Sequence, residues 1–267
     1  MTDPDPPPDS VFWLSAFLDV PADDHARDAA FWRAVTGYGL SPNRGEHGEL
    51  VTLVPPDGDA HLRLQRLGEG PSRVHLDVHV DSLDEATARA QSLGAVVVDR
   101  PGHVVMRSPG GFTCCFVTHP GSVRAAPARW TVGEEGAPGG ALLETHRSLV
   151  DQVCLDIPAP SYDAECTFWA RLLDRPVGRS SVRAEFRHLV RAQGQPLRLL
   201  LQRLDDGEGP VRAHLDLATD DRDAEVARHL SLGAVPVRRT AWWTTLQDPA
   251  GLDYCVTDRD PETGMTP

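Results

Sequence analysis

The 267-residue chain carries one pattern twice, and this repetition limits its fold more than any other feature. Leu18-Asp19-Val20-Pro21 returns as Leu155-Asp156-Ile157-Pro158, and Phe31-Trp32 returns as Phe168-Trp169. Leu64-Gln65-Arg66-Leu67 returns as Leu201-Gln202-Arg203-Leu204, and all three pairs share a spacing of 137. Past Asp205 and Asp206 the spacing becomes 139, where Gly68-Glu69-Gly70-Pro71 matches Gly207-Glu208-Gly209-Pro210 and His75-Leu76-Asp77 matches His214-Leu215-Asp216. Between 75–98 and 214–237, 13 of 24 positions are identical. Two copies of one domain are therefore expected, at 11–118 and 149–258, each long enough to bury a core of its own. A Pro/Gly-rich linker is expected over 119–148, with short tails at 1–10 and 259–267.

Charge and residue usage exclude several functions. The 26 basic residues against 39 acidic ones give a net charge of −13, with no positive excess to neutralise phosphates. Neither nucleic acid nor an anionic membrane is an expected partner. Every basic residue is Arg, so a Schiff-base lysine and a phosphate-loop lysine are both ruled out. No stretch approaches the ~20 apolar residues of a membrane helix, and the first residues lack the basic and apolar regions of a signal peptide. Cys114, Cys115, Cys154, Cys166 and Cys255 form no Cys-x-x-Cys pair. Free thiols in a reducing cytoplasm fit that pattern.

Each copy shows a two-beat rhythm. In the first, a strand over 11–20 precedes a helix capped by Asp23 or Asp24, and strands follow near 49–54 and 60–67. The beat then restarts: a strand begins at Val74, Asp81 or Ser82 caps a helix ending at Gly94, and three short strands close the copy. The second copy repeats this from 150 to 257. The fold class is α+β: two tandem domains, each of paired βαβββ modules forming a curled mixed sheet. Helices cover one face and leave a concave cup on the other.

Strand alternation sorts side chains between those faces. Val153, Leu155, Ile157, Leu215, Leu217, Leu246, Leu252, Tyr254 and Val256 go to the core. Gln152, Cys154, Asp156, His214, Asp216, Trp243, Thr245, Gln247, Asp253 and Cys255 go to the cup. First-copy cup positions are Ser15, Phe17, Gln65, His75, Asp77, His79, His103, Val105 and Cys115. His75 and His214 are candidate metal ligands or acid–base groups, or else histidines bonded locally near Asp77 and Asp216. Cys115 and Cys255 are candidate ligands or small buried hydrophobes. Trp243 is a candidate wall for a flat ligand, whereas Phe31-Trp32 and Phe168-Trp169 read as core. The repeated Gly-Glu-Gly-Pro is turn chemistry.

The paired βαβββ rhythm, the Phe-Trp on the first helix and the block His-Leu-Asp…Asp…Leu-Gly-Ala resemble the vicinal oxygen chelate superfamily. That group includes glyoxalase I, extradiol dioxygenases and the bleomycin and fosfomycin resistance proteins. Asp248-Pro249-Ala250-Gly251-Leu252-Asp253-Tyr254-Cys255 resembles its closing Asp-Pro-x-Gly-Asn-x-x-Glu segment. In detail the chain is similar to the tandem "glyoxalase-like domain" branch common in actinobacteria, whose last segment ends in Cys. The resemblance implies a divalent metal (zinc, iron or manganese) held by His or Gln on the first strand, His on the fifth and Glu on the eighth. Carried over, these positions are Gln152, His214 and Cys255, or Ser15, His75 and Cys115 in the first copy. A thiol thus replaces the carboxylate in both. The expected function is binding of a small, aromatic metabolite or antibiotic by His214, Trp243, Gln202, Gln152, Cys255 and Asp216, with weak or no catalysis. The alternative is a metal-dependent lyase, isomerase or dioxygenase using Gln152, His214 and Cys255. Binding is expected to centre on the second copy, because Ser15, His103 and Arg63 stand where it has Gln152, Trp243 and Leu200.

Overall fold

The structure, a computed structural model, describes residues 11–133, 142–180, 183–205 and 207–266. The expected tail 1–10 and the central part of the expected linker, 134–141, lie outside them.

The first copy runs β1 (Trp13–Pro21), α1 (Ala22–Thr36), β2 (Gly39–Leu40), β3 (Leu50–Val54), β4 (Leu62–Leu67) and β5 (Arg73–His79). It continues with α2 (Leu83–Ser92), β6 (Val96–Asp99), β7 (Val104–Arg107) and β8 (Thr113–Val117). After β9 (Ala128–Gly133) the second copy has β10 (Leu142–Pro158), α3 (Tyr162–Leu172), β11 (Val177–Arg179), β12 (Phe186–Leu189), β13 (Arg198–Leu204) and β14 (Arg212–Thr219). It closes with α4 (Arg222–Ser231), β15 (Val235–Arg239), β16 (Trp243–Gln247) and β17 (Asp253–Thr257). The two sheets have the same strand order, β2-β3-β4-β1-β5-β8-β7-β6 and β11-β12-β13-β10-β14-β17-β16-β15. In each, the two modules meet along the antiparallel pair β1–β5 or β10–β14. The repeat in sequence is a repeat in topology.

Local chemistry sets the helix ends. Ser82 accepts the Glu85 N–H at the start of α2, and Asp221 accepts the Ala224 N–H at the start of α4. At α1 the cap position is Pro21 with no side-chain bond, and Asp23 and Asp24 lie in the first turn, where they still meet the positive helix end. That cap differs from the expected one because the strand runs on to Pro21, whose fixed φ leads directly into the helix.

Residues 119–148 hold more than a linker: β9 pairs with the start of β10 and extends the second sheet. Residues 259–266, expected as a tail, fold back onto the body. Arg259 makes a two-pronged ion pair with Asp151 at 2.6 and 2.9 Å, and Arg124 donates to the carbonyls of Pro261 and Glu262. Asp151 is the extra residue of a bulge in β10, where Val150 faces Leu217 and Gln152 faces Asp216. The first copy pairs without that insertion, Leu14 with Val78 and Ser15 with Asp77.

One apolar core spans both copies. The first helix of each packs on the second module of the other. Trp32 of α1 donates to Asp248 at 3.0 Å and stands against Tyr254, while Trp169 of α3 meets Phe112 edge-on. Arg228 of α4 donates to the carbonyls of Ala34 and Val35 at the end of α1. Phe31, Trp32, Phe168 and Trp169 are all core residues. No helix among the described residues is long and apolar enough to cross a membrane.

Candidate functional site

The face opposite the helices carries polar residues in register. Across the second sheet, Arg198, Gln152, Asp216, Cys255 and Thr245 stand side by side on β13, β10, β14, β17 and β16. The row is bonded: Arg198 Nε donates to Gln152 Oε1 at 2.7 Å, and Gln152 Nε2 donates to Asp216 Oδ2. Thr245 Oγ1 lies 3.5 Å from Cys255 Sγ. In the adjacent row His214 pairs with Cys154 across β14 and β10. Nδ1 of His214 lies 2.9 Å from Oδ2 of Asp156, and Nε2 lies 3.3 Å from Oδ1 of Asp216. The ring is therefore flanked by a carboxylate on each nitrogen.

The groups around the ring set its charge. Burial opposes a charged ring, but Cys154, Asp156 and Cys255 outweigh it and hold His214 well above the usual histidine range. Burial also pulls Asp216 upward, yet the His214 ring keeps its carboxyl below the ordinary value. Burial pushes the Cys154 and Cys255 thiols up, away from the nucleophilic form. The site favours a cation, either a proton on the ring or a metal on Nε2.

The first copy builds the same cup. His75 lies 2.9 Å from Asp19 through Nδ1 and 3.8 Å from Asp77 through Nε2, stacked on Phe17. Burial works against its charge, and Asp19 with Cys115 and Asp77 bring it up to about 10. Ser15 Oγ sits 2.9 Å from His79 Nε2 and accepts from Arg63 at 2.5 Å.

The cup wall is aromatic. Trp243 on β16 meets Phe186 on β12 edge-on at 5.9 Å, so strands far apart in the sheet order approach one another across the opening. The guanidinium groups of Arg183 and Arg238 lie over the same indole at 5.3 and 5.9 Å. Gln202 is placed beside Phe186 and accepts from Cys154 Sγ at 3.6 Å.

Glyoxalase-like domain is the family whose model matches, over residues 15–117 and 152–257. The chain belongs to that family. No curated protein matches it in sequence. Among solved structures it is similar to a Mn(II)-bound glyoxalase from Novosphingobium aromaticivorans, at 20% identity and TM-score 0.59, covering 97% of this chain and 87% of that one. It is also similar to a variant of homoprotocatechuate 2,3-dioxygenase from Brevibacterium fuscum, at 16% identity and TM-score 0.60, covering 97% and 75%. A xylose isomerase-like TIM barrel/4-hydroxyphenylpyruvate dioxygenase fusion protein matches at 15% identity and TM-score 0.59, and the chain spans half its length (96% of this chain, 50% of that one). At these identities the likeness is one of fold, and the fold is that of the vicinal oxygen chelate superfamily.

A divalent ion fits the glyoxalase-like cup through a carboxylate that neighbours the family positions. His214, Asp216 and Cys255 offer ligand atoms all within 4.8 Å of one another, and His75, Asp77 and Cys115 do the same. Asp216 Oδ1 is buried with no hydrogen-bond donor. Gln152 adjoins the group, but its carbonyl oxygen is already taken by Arg198. Asp19, Arg198, Phe186 and Arg183 are residues that the sequence left unplaced, and Asp156 is one it put in the cup without a role. Asp19 and Asp156 did leave a signal, since both stand inside a repeated motif, as the histidines do.

Proposed function

We propose that this glyoxalase-like protein binds a small oxygen-bearing, aromatic molecule at a divalent metal in its cup, with weak or no catalysis. The ligands are His214, Asp216 and Cys255, with His75, Asp77 and Cys115 as the first-copy set. One observation carries the reading: Asp216 Oδ1 is buried, lacks a donor, and faces His214 Nε2 at 3.3 Å. A buried carboxylate oxygen that makes no hydrogen bond and has only the His214 ring at 3.3 Å gains from an ion bound between the two. An N/O/S donor set of this kind suits zinc, with a position open to a ligand. When bound, such an ion supplies Lewis acidity to an oxygen of the ligand.

The chain's own residues do the rest. Asp156 accepts the Nδ1 proton of His214, which turns the Nε2 lone pair toward Asp216 and Cys255. Gln152 holds Asp216 through Oδ2 and leaves Oδ1 facing His214 Nε2. Trp243 and Phe186 supply a flat apolar wall.

The binding reading is favoured over the metal-dependent lyase, isomerase or dioxygenase reading because the second cup's described carboxylates are already engaged. Asp156 is engaged by His214, and Asp216 and Cys255 are assigned to the ion. Zinc titration of the full chain, followed by calorimetry and by metal content after dialysis, tests the proposal. Retained zinc in the wild type and its loss in Asp216→Asn support it; a wild type that retains none overturns it.

A further inference from the structure

Each cup presents a guanidinium that forms no ion pair with a described carboxylate. In the second, Arg198 donates through Nε to Gln152, while its two terminal nitrogens bond to no described residue. The carboxylates nearby are spoken for. Asp151 is gripped by both arms of Arg259 and approached by Arg191 at 3.7 Å, and Asp216 is held by Gln152 and His214. Burial, and after it the charge of Arg259, bring Arg198 down to about 10, so it remains a cation at neutral pH. A half-buried guanidinium without a contacting counter-ion is expensive, and its planar fork matches the two oxygens of a carboxylate.

The first cup reaches the same arrangement by another route. Arg63 pairs with Phe17 on β1, lies 5.5 Å from that ring and donates to Ser15. In the repeat, position 63 corresponds to 200, a leucine, and position 198 corresponds to 61, a histidine. The arginines are thus not equivalent in sequence, yet each arrives at the equivalent first-strand residue, Ser15 or Gln152. Two separate solutions to one placement indicate that the cup requires a positive group there.

We propose that the cups take a small aromatic carboxylate, its carboxylate on the guanidinium of Arg198 or Arg63 and its ring among the aromatic side chains of the cup. This rests on the cup being the ligand site and gives that site its substrate class. The acidic half, around His214 and Asp216, favours a cation, and the basic half, at Arg198, favours an anion. A ligand with both an oxygen donor and a carboxylate satisfies the two together.

Calorimetry on the full chain, with and without zinc, would use benzoate, its neutral counterpart benzamide, and inorganic phosphate as probes. Benzoate is expected to bind at least tenfold more tightly than benzamide or phosphate. The double variant Arg63→Met/Arg198→Met is expected to weaken benzoate by about 10–100-fold, as loss of charge-assisted bonds does. Equal binding of benzoate and benzamide, equal binding of phosphate, no benzoate binding, or an unchanged double variant would each overturn the proposal. The wild-type comparison stands even where the variant folds poorly. Zinc content of the same samples reads the metal centre separately: benzoate selectivity in a chain that retains no zinc defeats the metal reading and leaves this one intact.

Discussion

Asp156 meets His214 at 2.9 Å across neighbouring strands, and Asp19 meets His75 at the same distance in the other copy. A carboxylate behind the distal nitrogen of a metal-binding imidazole fixes its tautomer and raises its basicity. Replacing Asp156 by Asn keeps the shape and removes the charge. Zinc affinity of the second cup is expected to fall by roughly 10–100-fold, while the first cup is unchanged. Competition titration against a chelator reads both sites; equal affinities before and after the substitution would remove Asp156 from the account.

A second carboxylate relationship bears on stability. Asp28 of α1 and Asp248 of the second copy are both buried, and both oxygens of Asp28 lack a donor. Burial and then the Asp248 charge push Asp28 up to about 8, and burial pushes Asp248 up to about 6. Asp24 adds to the rise at Asp28; the N–H groups of Ala250 and Leu252 and the Trp32 indole offset it at Asp248. A carboxyl kept protonated in the folded chain but ionised in the unfolded one stabilises the fold at low pH. That contribution is lost as pH rises through about 8. Melting temperature should therefore decline from pH 6 to pH 9 in the wild type. Asp28→Asn should flatten the decline and gain about 2–4 °C at pH 9, the change that 1 kcal/mol brings in a chain of this size. A parallel pH profile in the variant contradicts a raised Asp28 carboxyl.

The corresponding position in the second copy shows the contrast. Glu165, which aligns with Asp28, accepts from Gly110 and from Trp169 and is answered by Ser108 where the other side has Asp248. Glu165→Gln is accordingly expected to shift the pH profile less than Asp28→Asn, by the same melting measurements.

Glu225 on α4 is fully buried and accepts from His146, Arg228 and His229 at 2.7–3.0 Å. Burial disfavours its charge, and those partners hold it far below the usual carboxylate range regardless. Removing one member of such a network strands the rest. Glu225→Ala should cost about 3–5 kcal/mol, seen as a drop of roughly ten degrees in melting temperature. A loss of only a degree or two would show that the network contributes little.

Much of the architecture is legible in the residues. The repeat set the two sheets, and strand parity put Gln152, His214, Asp216 and Cys255 on one face, where the structure has them. Parity names a face but not a partner. It could not show that Gln152 spends its carbonyl on Arg198, because β13 is 46 residues away and its register follows from folding. It could not reveal the bulge at Asp151, since one inserted residue is silent in sequence until Arg259 folds back to neutralise it. The contact between Trp243 and Phe186 depends on sheet curvature, which no periodicity encodes.

The metal centre itself is tested most directly by cobalt(II) titration of the full chain, read through the thiolate-to-cobalt charge-transfer absorption. The wild type is expected to develop that band, Gln152→Ala to retain it, and Cys115→Ser/Cys255→Ser to lose it. A wild type without the band, or a double-cysteine variant that keeps it, would contradict a centre built on His214, Asp216 and Cys255.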